Sequence, residues 1–504
     1  MKKKLLTTAV LASIAGTAGA VNVNPDGLGQ VGLFPYYTVQ DGNSTLIYIT
    51  NTTSNGKIVK VRFLEGKNSL EVLDFNLYLS KNDIWTAAIE QDGTGAKIVT
   101  TDASCTVPAI PTAGQPFSNL LFTDGEDTTL ARTREGHLEV IEMGTMSDAL
   151  DTAFAGAAAP VAGNQTPFKP NAWAQHNSSG VPFSCTNLTD AWDTANNWGN
   201  GAIGDEAVGL NSGGLYAGAF IINGAAGTGN QYNATMLDAF NTLDILHSEP
   251  GDTEPNLTAA NPATSYVFNN GAVVASTFTL TSPSDGLNAV TATLMHSSVL
   301  NEYSVETGLA ASTDWVITHP TKKDYVPFPT VLGAWTAIPP FTTRFGVGLG
   351  GSPQRNGALN PIVTLVPTTG GACEVVKLDL YDREERTTTT GLSFSPRQPG
   401  GSDSLCWETN VITFDNTDAL GSVGLRLNVN VPASFPEKNG WMRLTLSQPL
   451  DGHTLTSTDG DVYGGLPTIG FAVENFVNGN VTAGVLANYG VSFDHRFTRS
   501  ISSN

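Results

Sequence analysis

Carboxylates are the residues of this chain whose types and spacing could do chemistry. Asp124, Glu126 and Asp127 share a glycine-containing loop, Asp415 and Asp418 flank Asn416, and Asp459 and Asp461 flank Gly460. Calcium takes about six to eight oxygens from closely spaced carboxylates and loop carbonyls, so these three loops are candidate calcium sites. None matches the full EF-hand loop, and a solvated acidic turn is the competing reading of each. Asp382, Glu384 and Glu385 form a weaker cluster, because Arg383 and Arg386 can neutralise it locally. Glu135, Glu139 and Glu142 surround an apolar run. Two carboxylates held at a set distance can hydrolyse a glycoside. On a strand, however, Glu139 and Glu142 face opposite sides, whereas Glu135 and Glu139 can share one. The pairing is too generic to carry a catalytic claim.

The other catalytic signatures fail. There is no G-x-S-x-G elbow and no H-E-x-x-H helix. The 7 histidines (His137, His176, His247, His296, His319, His453 and His495) are scattered singly. No catalytic residue is nominated, and the expectation is a non-enzymatic protein. An enzyme whose site converges only in space is the remaining alternative.

The whole chain says where such a protein works. Lys2 to Lys4, the apolar stretch Leu5–Ile14 and Ala18-Gly19-Ala20 read as a signal peptide over 1–20, with the mature chain starting at Val21. The apolar stretch is shorter than the ~20 residues of a membrane span, and no later stretch is apolar enough. A secreted chain at the cell surface or outside the cell is expected, with the periplasm as alternative. Lys and Arg number 25 against 46 Asp and Glu, for a formal net charge of −21 with only 14% charged residues. The acidity therefore comes from scarce bases. Nucleic-acid binding is excluded on this count, since phosphate contacts need Lys and Arg. The 4 cysteines of a secreted chain read as two disulfides. Three pairings are possible, and the sequential one, Cys105–Cys185 and Cys373–Cys406, is expected. Zinc is the weaker rival, as no pair has C-x-x-C spacing.

The elements that must position these residues are strands. Phe34–Val39 and Leu46–Thr50 are aromatic and β-branched, and 51–56 is turn chemistry. Val59, Val61 and Phe63 alternate with Lys60 and Arg62. Leu73, Phe75, Leu77 and Leu79 alternate with Asp74, Asn76 and Tyr78. Side chains on a strand point to opposite faces in turn, so each strand buries one face. The other face, with Lys60, Arg62, Asp74 and Asn76, reads as solvated or as a contact for neighbouring protein. Ala, Gly, Pro and Asn dominate 147–184. Helices are expected at Asn187–Trp198 and, on the stripe Leu237, Phe240, Leu243 and Leu246, at Met236–His247. From 265 the β signature returns, with Ser265–Phe268, Val273–Leu280, Val290–Met295, Trp315–Thr318, Val411–Phe414, Trp441–Leu446, Ile469–Phe476 and Val491–Phe497 among the expected strands; Thr330–Ile338 and Phe345–Leu349 are less regular. The fold class is mainly β: two or more β-sandwich-like domains, jelly-roll or Ig-like, with long loops and a few short helices. The expected division is an N-terminal sandwich at 21–146, a loop-rich segment at 147–264 and a β-rich region at 265–504, with two subdomains in the last. A membrane barrel fits less well, because its strands alternate throughout over about ten residues.

Several stretches carry a resemblance. Val21-Asn-Val-Asn-Pro-Asp-Gly-Leu-Gly-Gln30, Phe34-Pro-Tyr-Tyr-Thr38, Val61-Arg-Phe-Leu-Glu-Gly66 and Leu73-Asp-Phe-Asn-Leu-Tyr-Leu-Ser80 lie near the start. Arg134-Glu-Gly136, Val140-Ile-Glu-Met-Gly144, Ala311-Ser-Thr-Asp-Trp-Val316 with Pro320-Thr-Lys-Lys323, Tyr381-Asp-Arg-Glu-Glu385 and Gly484-Val-Leu-Ala-Asn-Tyr-Gly490 extend it across the chain. Together they resemble a family of secreted proteins from Gram-negative bacteria, and most of all the surface-layer proteins of marine gammaproteobacteria. The resemblance implies a self-assembling sheet or biofilm matrix associated with the outer membrane and transfers no catalytic residue. The partners it implies are further copies of the chain. Calcium would bridge acidic loops to one another or to lipopolysaccharide phosphates. A secreted glycan- or ligand-binding sandwich is the alternative, with Trp173, Trp192, Trp198 and Trp335 as stacking platforms or, on the plainer reading, as core.

Overall fold

The aromatic and β-branched opening stretch forms strands. In the computed structural model, which describes residues 19–147, 168–193, 197–198, 207–279, 282–326, 338–343, 347–350, 364–367, 371–388, 392–395, 403–447 and 452–503, these strands contribute to both walls of a β-sandwich. Val31–Thr38 lies between Thr235–Asp238 and Glu135–Met146, and the sheet continues through Gly56–Glu65 and Glu71–Leu79 to Cys105–Val107. The facing sheet runs Thr228–Asn233, Leu215–Asn223, Asn43–Asn51, Ile84–Asp92, Gly95–Val99. Phe34, Val59, Val61, Phe63, Phe75 and Leu77 from the first wall meet Ile47, Ile49, Trp85, Ile89, Ala217 and Ile221 from the second. This is the alternation read from the sequence, with the apolar set facing inward.

A second sandwich follows. One sheet contains Lys377–Asp382, Asn439–Thr445, Ser298–Ser304 and Arg496–Thr498. The other contains Arg426–Val429, Thr409–Phe414, Ala311–Thr318, Ile469–Thr482 and Val485–Asp494. Between them Tyr303 stacks on Phe414 at 5.0 Å, and Trp315 meets the same ring edge-on at 5.7 Å. The mainly β, sandwich-like architecture with short helices is thus the observed one.

The sheets cross the expected boundaries. Ala20–Val23 pairs antiparallel with Thr235–Asp238 and parallel with Thr264–Asn269, so strands on either side of 146 and 264 share one sheet. Val316, Val411, Phe471 and Val473 also pack into the first sandwich's core. Composition shifts mark loops, but the pairing of distant strands decides which segments share a core.

Three local expectations are corrected. Val290–Met295 is not a strand: Asp285–Leu294 is a helix, started by Ser284, whose Oγ accepts from Leu287 N. It is buried on nearly every side, so apolar residues recur without a solvent stripe, and such a run cannot be told from a buried strand by pattern. Met236–His247 is not a helix either. Met236 and Leu237 pair with Gly32 and Val31 in the strand Thr235–Asp238, Ala239 turns the chain at φ 53°, and Leu243 is 69% exposed. At Asn187–Trp198 the helix is Cys185–Asp190, shorter and earlier, with Ser184 capping Asn187 N. Residues 1–18, covering most of the expected signal peptide, and Thr330–Ala337 lie outside the described residues, as do Phe345 and Gly346 of the Phe345–Leu349 stretch.

Both disulfides follow the sequential pairing. Cys105–Cys185 closes 80 residues and Cys373–Cys406 closes 33. The first ties the helix Cys185–Asp190 to the sheet edge Cys105–Val107, where Trp198, Phe168, Tyr78 and Leu188 form a third core. Replacing Cys105 and Cys185 by Ala together is expected to reduce stability by about 2–4 kcal/mol, read as a lowered urea midpoint. An unchanged midpoint would show that the third core holds without the bridge. Among the described residues no helix is long and apolar enough to cross a membrane.

Candidate functional site

The polar side chains of Gly56–Glu65 do not face solvent. Every residue of this strand is buried, because the loop around 248–251 and the short helix Lys322–Tyr325 cover the sheet's outer face. This corrects the solvated reading of Lys60 and Arg62. Lys60 Nζ sits 2.6 Å from Asp74, and Arg62 reaches Glu71 at 2.8 Å and Glu139 at 2.6 Å. Asn76 Nδ2 donates to Ser248 O at 2.9 Å. Lys323 adds a second cation to Glu139 at 3.5 Å. Burial alone would raise the Glu139 carboxyl, but Lys323 and Arg62 hold it below its ordinary value.

The three carboxylates of Glu135–Met146 have separate partners. Glu135 accepts from Tyr36 Oη at 2.9 Å, Ser422 Oγ at 2.7 Å and Gly424 N at 2.9 Å. Glu139 belongs to the Arg62 layer. Glu142 binds Lys57 at 2.5 Å and accepts from Gly213 N at 2.8 Å. The strand carries register shifts beside Gly136 and Gly144. Gly144 has φ +155°, and a Cβ there would strike Val208, so the two glycines of the resembling motifs mark bulges where a side chain does not fit.

Glu65, Glu135, Arg132, Arg134 and Lys67 line a cleft of about 180 Å³ between the two halves of the chain. Arg132 and Lys67 are matched by carboxylates, whereas Glu135 is held by neutral donors. Arg132 bonds both oxygens of Glu65, at 2.8 and 2.9 Å, and both of Asp124. The cleft is smaller than the roughly 300 Å³ at which ligand pockets begin.

The acidic residues expected to hold calcium occupy separate places, each with protein donors. Asp124 accepts from Arg132 and Asn68, Glu126 pairs with Lys67 at 3.0 Å, and Asp127 accepts from Thr129 N at 2.9 Å. Asp415 takes Val431 N at 2.6 Å and Lys438 at 3.1 Å, and Asp418 takes Gly421 N at 2.5 Å and Arg426 at 3.3 Å. Asp459 accepts from Thr277 N at 2.7 Å, and Asp461 from Ser276 Oγ at 2.6 Å. Among the described residues no three His, Cys, Asp or Glu gather as a metal site.

Of the histidines, His137, His319 and His495 are buried, and burial pushes each down to about 3. His453 differs. Its Nδ1 lies 2.7 Å from Leu446 O and its Nε2 2.8 Å from Glu374. Both ring nitrogens lie within hydrogen-bond distance of an oxygen acceptor. Burial would raise Glu374, but hydrogen bonds from His453, Thr342 and Thr343 hold it at about 2. A carboxylate depressed in the fold contributes stability that is complete above its ordinary pKa and is lost as pH falls through the folded value. The melting temperature is therefore expected to fall between pH 5 and pH 2, and Glu374→Gln to flatten that slope. Parallel slopes for both chains would remove Glu374 from the account.

The tryptophans expected as glycan platforms pack inward. Trp198 stacks on Tyr78 at 6.3 Å and meets Phe168 at 4.7 Å, Trp192 Nε1 donates to Tyr78 Oη at 3.1 Å, and Trp173 lies against Phe168 at 5.3 Å. Trp335 lies outside the described residues. Sequence reasoning missed a different surface. On the outer face of the second sheet, Leu46, Tyr48, Ala88, Val99, Thr100 and Phe220 line a shallow groove of about 560 Å³ with no charged residue. Its signal was the run Leu46-Ile-Tyr-Ile49, apolar on both faces of one strand. No protein-family model matches the chain, and no curated protein or solved structure matches it either.

Proposed function

We propose that the chain is a non-enzymatic structural protein that assembles with copies of itself at the cell surface, as a surface layer or in a biofilm matrix. One observation carries this reading: Lys57, Arg62 and Arg132 are buried against carboxylates, while a groove of about 560 Å³ lies on an uncharged apolar sheet face. Matched buried charge serves a scaffold, and an exposed apolar face serves contact with protein. Two disulfides are compatible with a secreted or extracellular protein. Calcium and lipopolysaccharide belong to this reading only between molecules, since the acidic loops are satisfied within one chain. EDTA is then expected to loosen assemblies without lowering the melting temperature of the monomer.

Microscopy of negatively stained cells tests the proposal. A regular surface lattice that disappears on deletion of the gene is expected. A free monomer in the periplasm, with no lattice or matrix, would overturn it.

A further inference from the structure

The hairpin of Ile469–Thr482 and Val485–Asp494 ends its sheet, and Val485–Asp494 is the terminal strand. Its root is fixed: Asn488 Nδ2 donates to Ala226 O, and Asn230 Nδ2 to Asn475 Oδ1 at 3.0 Å. Beyond the root the strands stand free as an arm. Val481 and Leu486 there are 64% and 60% exposed, and Tyr489 at the root is 63% exposed. From Val477 to Val491 there is no Asp, Glu, Lys, Arg or His. Edge strands of soluble proteins are ordinarily blunted by charge or proline, and this arm has neither.

The groove on the outer face of the second sheet has the matching character. Leu46 is 40% exposed there, so the chain's own arm leaves it open. Charge selects the occupant. Copies with a net charge of −21 repel one another, and they can approach most closely where both surfaces lack charge. The arm and the groove are two such surfaces.

We propose that the arm of one copy seats on the Leu46–Phe220 groove of the next. The two surfaces differ, so a contact that the same two copies do not reciprocate is heterologous and can propagate into an open array. The inference rests on the self-assembly reading and adds the contact that builds it.

Sedimentation velocity of the purified full chain, across a concentration series, tests both. Leu486→Glu in the arm and Leu46→Glu on the face each place an acid in the contact. Each is expected to weaken association at least tenfold while melting like the wild type. Mixing Leu46→Glu with Leu486→Lys is expected to restore association. A mixture of Leu46→Cys and Leu486→Cys chains should form an interchain disulfide that neither forms alone. A wild-type chain that stays monomeric throughout would overturn the assembly reading and this contact together. A wild-type chain that assembles, with charged variants that assemble equally well, would overturn only the contact. Cross-linking of Leu486→Cys with itself would also overturn it, by making the interface isologous.

Discussion

Arg62→Glu is expected to abolish folding of the chain, not merely to disturb its association. Arg62 lies on the wall of the first sandwich between Glu71 and Glu139, with Asp74 beside it, and is almost wholly buried. Burial disfavours its charge, but Glu139 and Glu71 more than restore it. Removing one partner of such a group costs about 3–5 kcal/mol, because the charges left behind stay buried and unpaired. Reversal adds a further carboxylate to a site already holding them. A natural domain has about 5–15 kcal/mol to lose, so the expected result is insoluble chain or a collapsed melting transition. Arg62→Lys keeps the charge but only one of the two directed bonds, and is expected to fold with a lower midpoint. Soluble Arg62→Glu with wild-type melting and defective assembly would mean that this face is an exposed contact surface, as its sequence pattern suggested.

Arg132→Met is expected to cost about 3–5 kcal/mol, with a pH signature that identifies the cause. The guanidinium holds Glu65 and Asp124 together and caps the strand end at Glu65. Burial alone would raise Asp124, but hydrogen bonds from Arg132 and Asn68 hold it below the ordinary value. In the wild type that interaction is complete above the carboxylate range and is lost as pH falls through the folded value. In the variant the Asp124 carboxylate is buried without its cation, so it favours protonation. The deficit measured by urea unfolding is therefore expected to be largest near pH 7 and to shrink toward pH 4. A deficit independent of pH would point to lost packing over Phe122, on whose ring Arg132 sits at 4.6 Å.

Sequence pattern was most reliable where one physical rule acted alone. Alternation over 59–63 and 73–79 located strands, because a buried sheet face enforces a period of two. Both disulfides matched the sequential pairing. The pattern failed where a rule was silent. Val290 sits in a helix covered all round, and Leu237 in a strand whose stripe imitated a helix.

By itself, the sequence of this protein determined a β-rich chain with few bases, four cysteines whose sequential pairing was one of three, and an inward set of aromatic residues. It also showed that the polar face of Gly56–Glu65 exists, but not what covers it. Only the tertiary structure decided that Lys60 and Arg62 are interior ions. Their cover comes from residues near 250 and 323, and their partners lie from nine residues (Glu71) to 77 residues (Glu139) away. The structure likewise left the uncharged groove and arm exposed. Side-chain period records which residues share a face; whether that face meets water, loop or another molecule depends on chain segments that no local pattern contains.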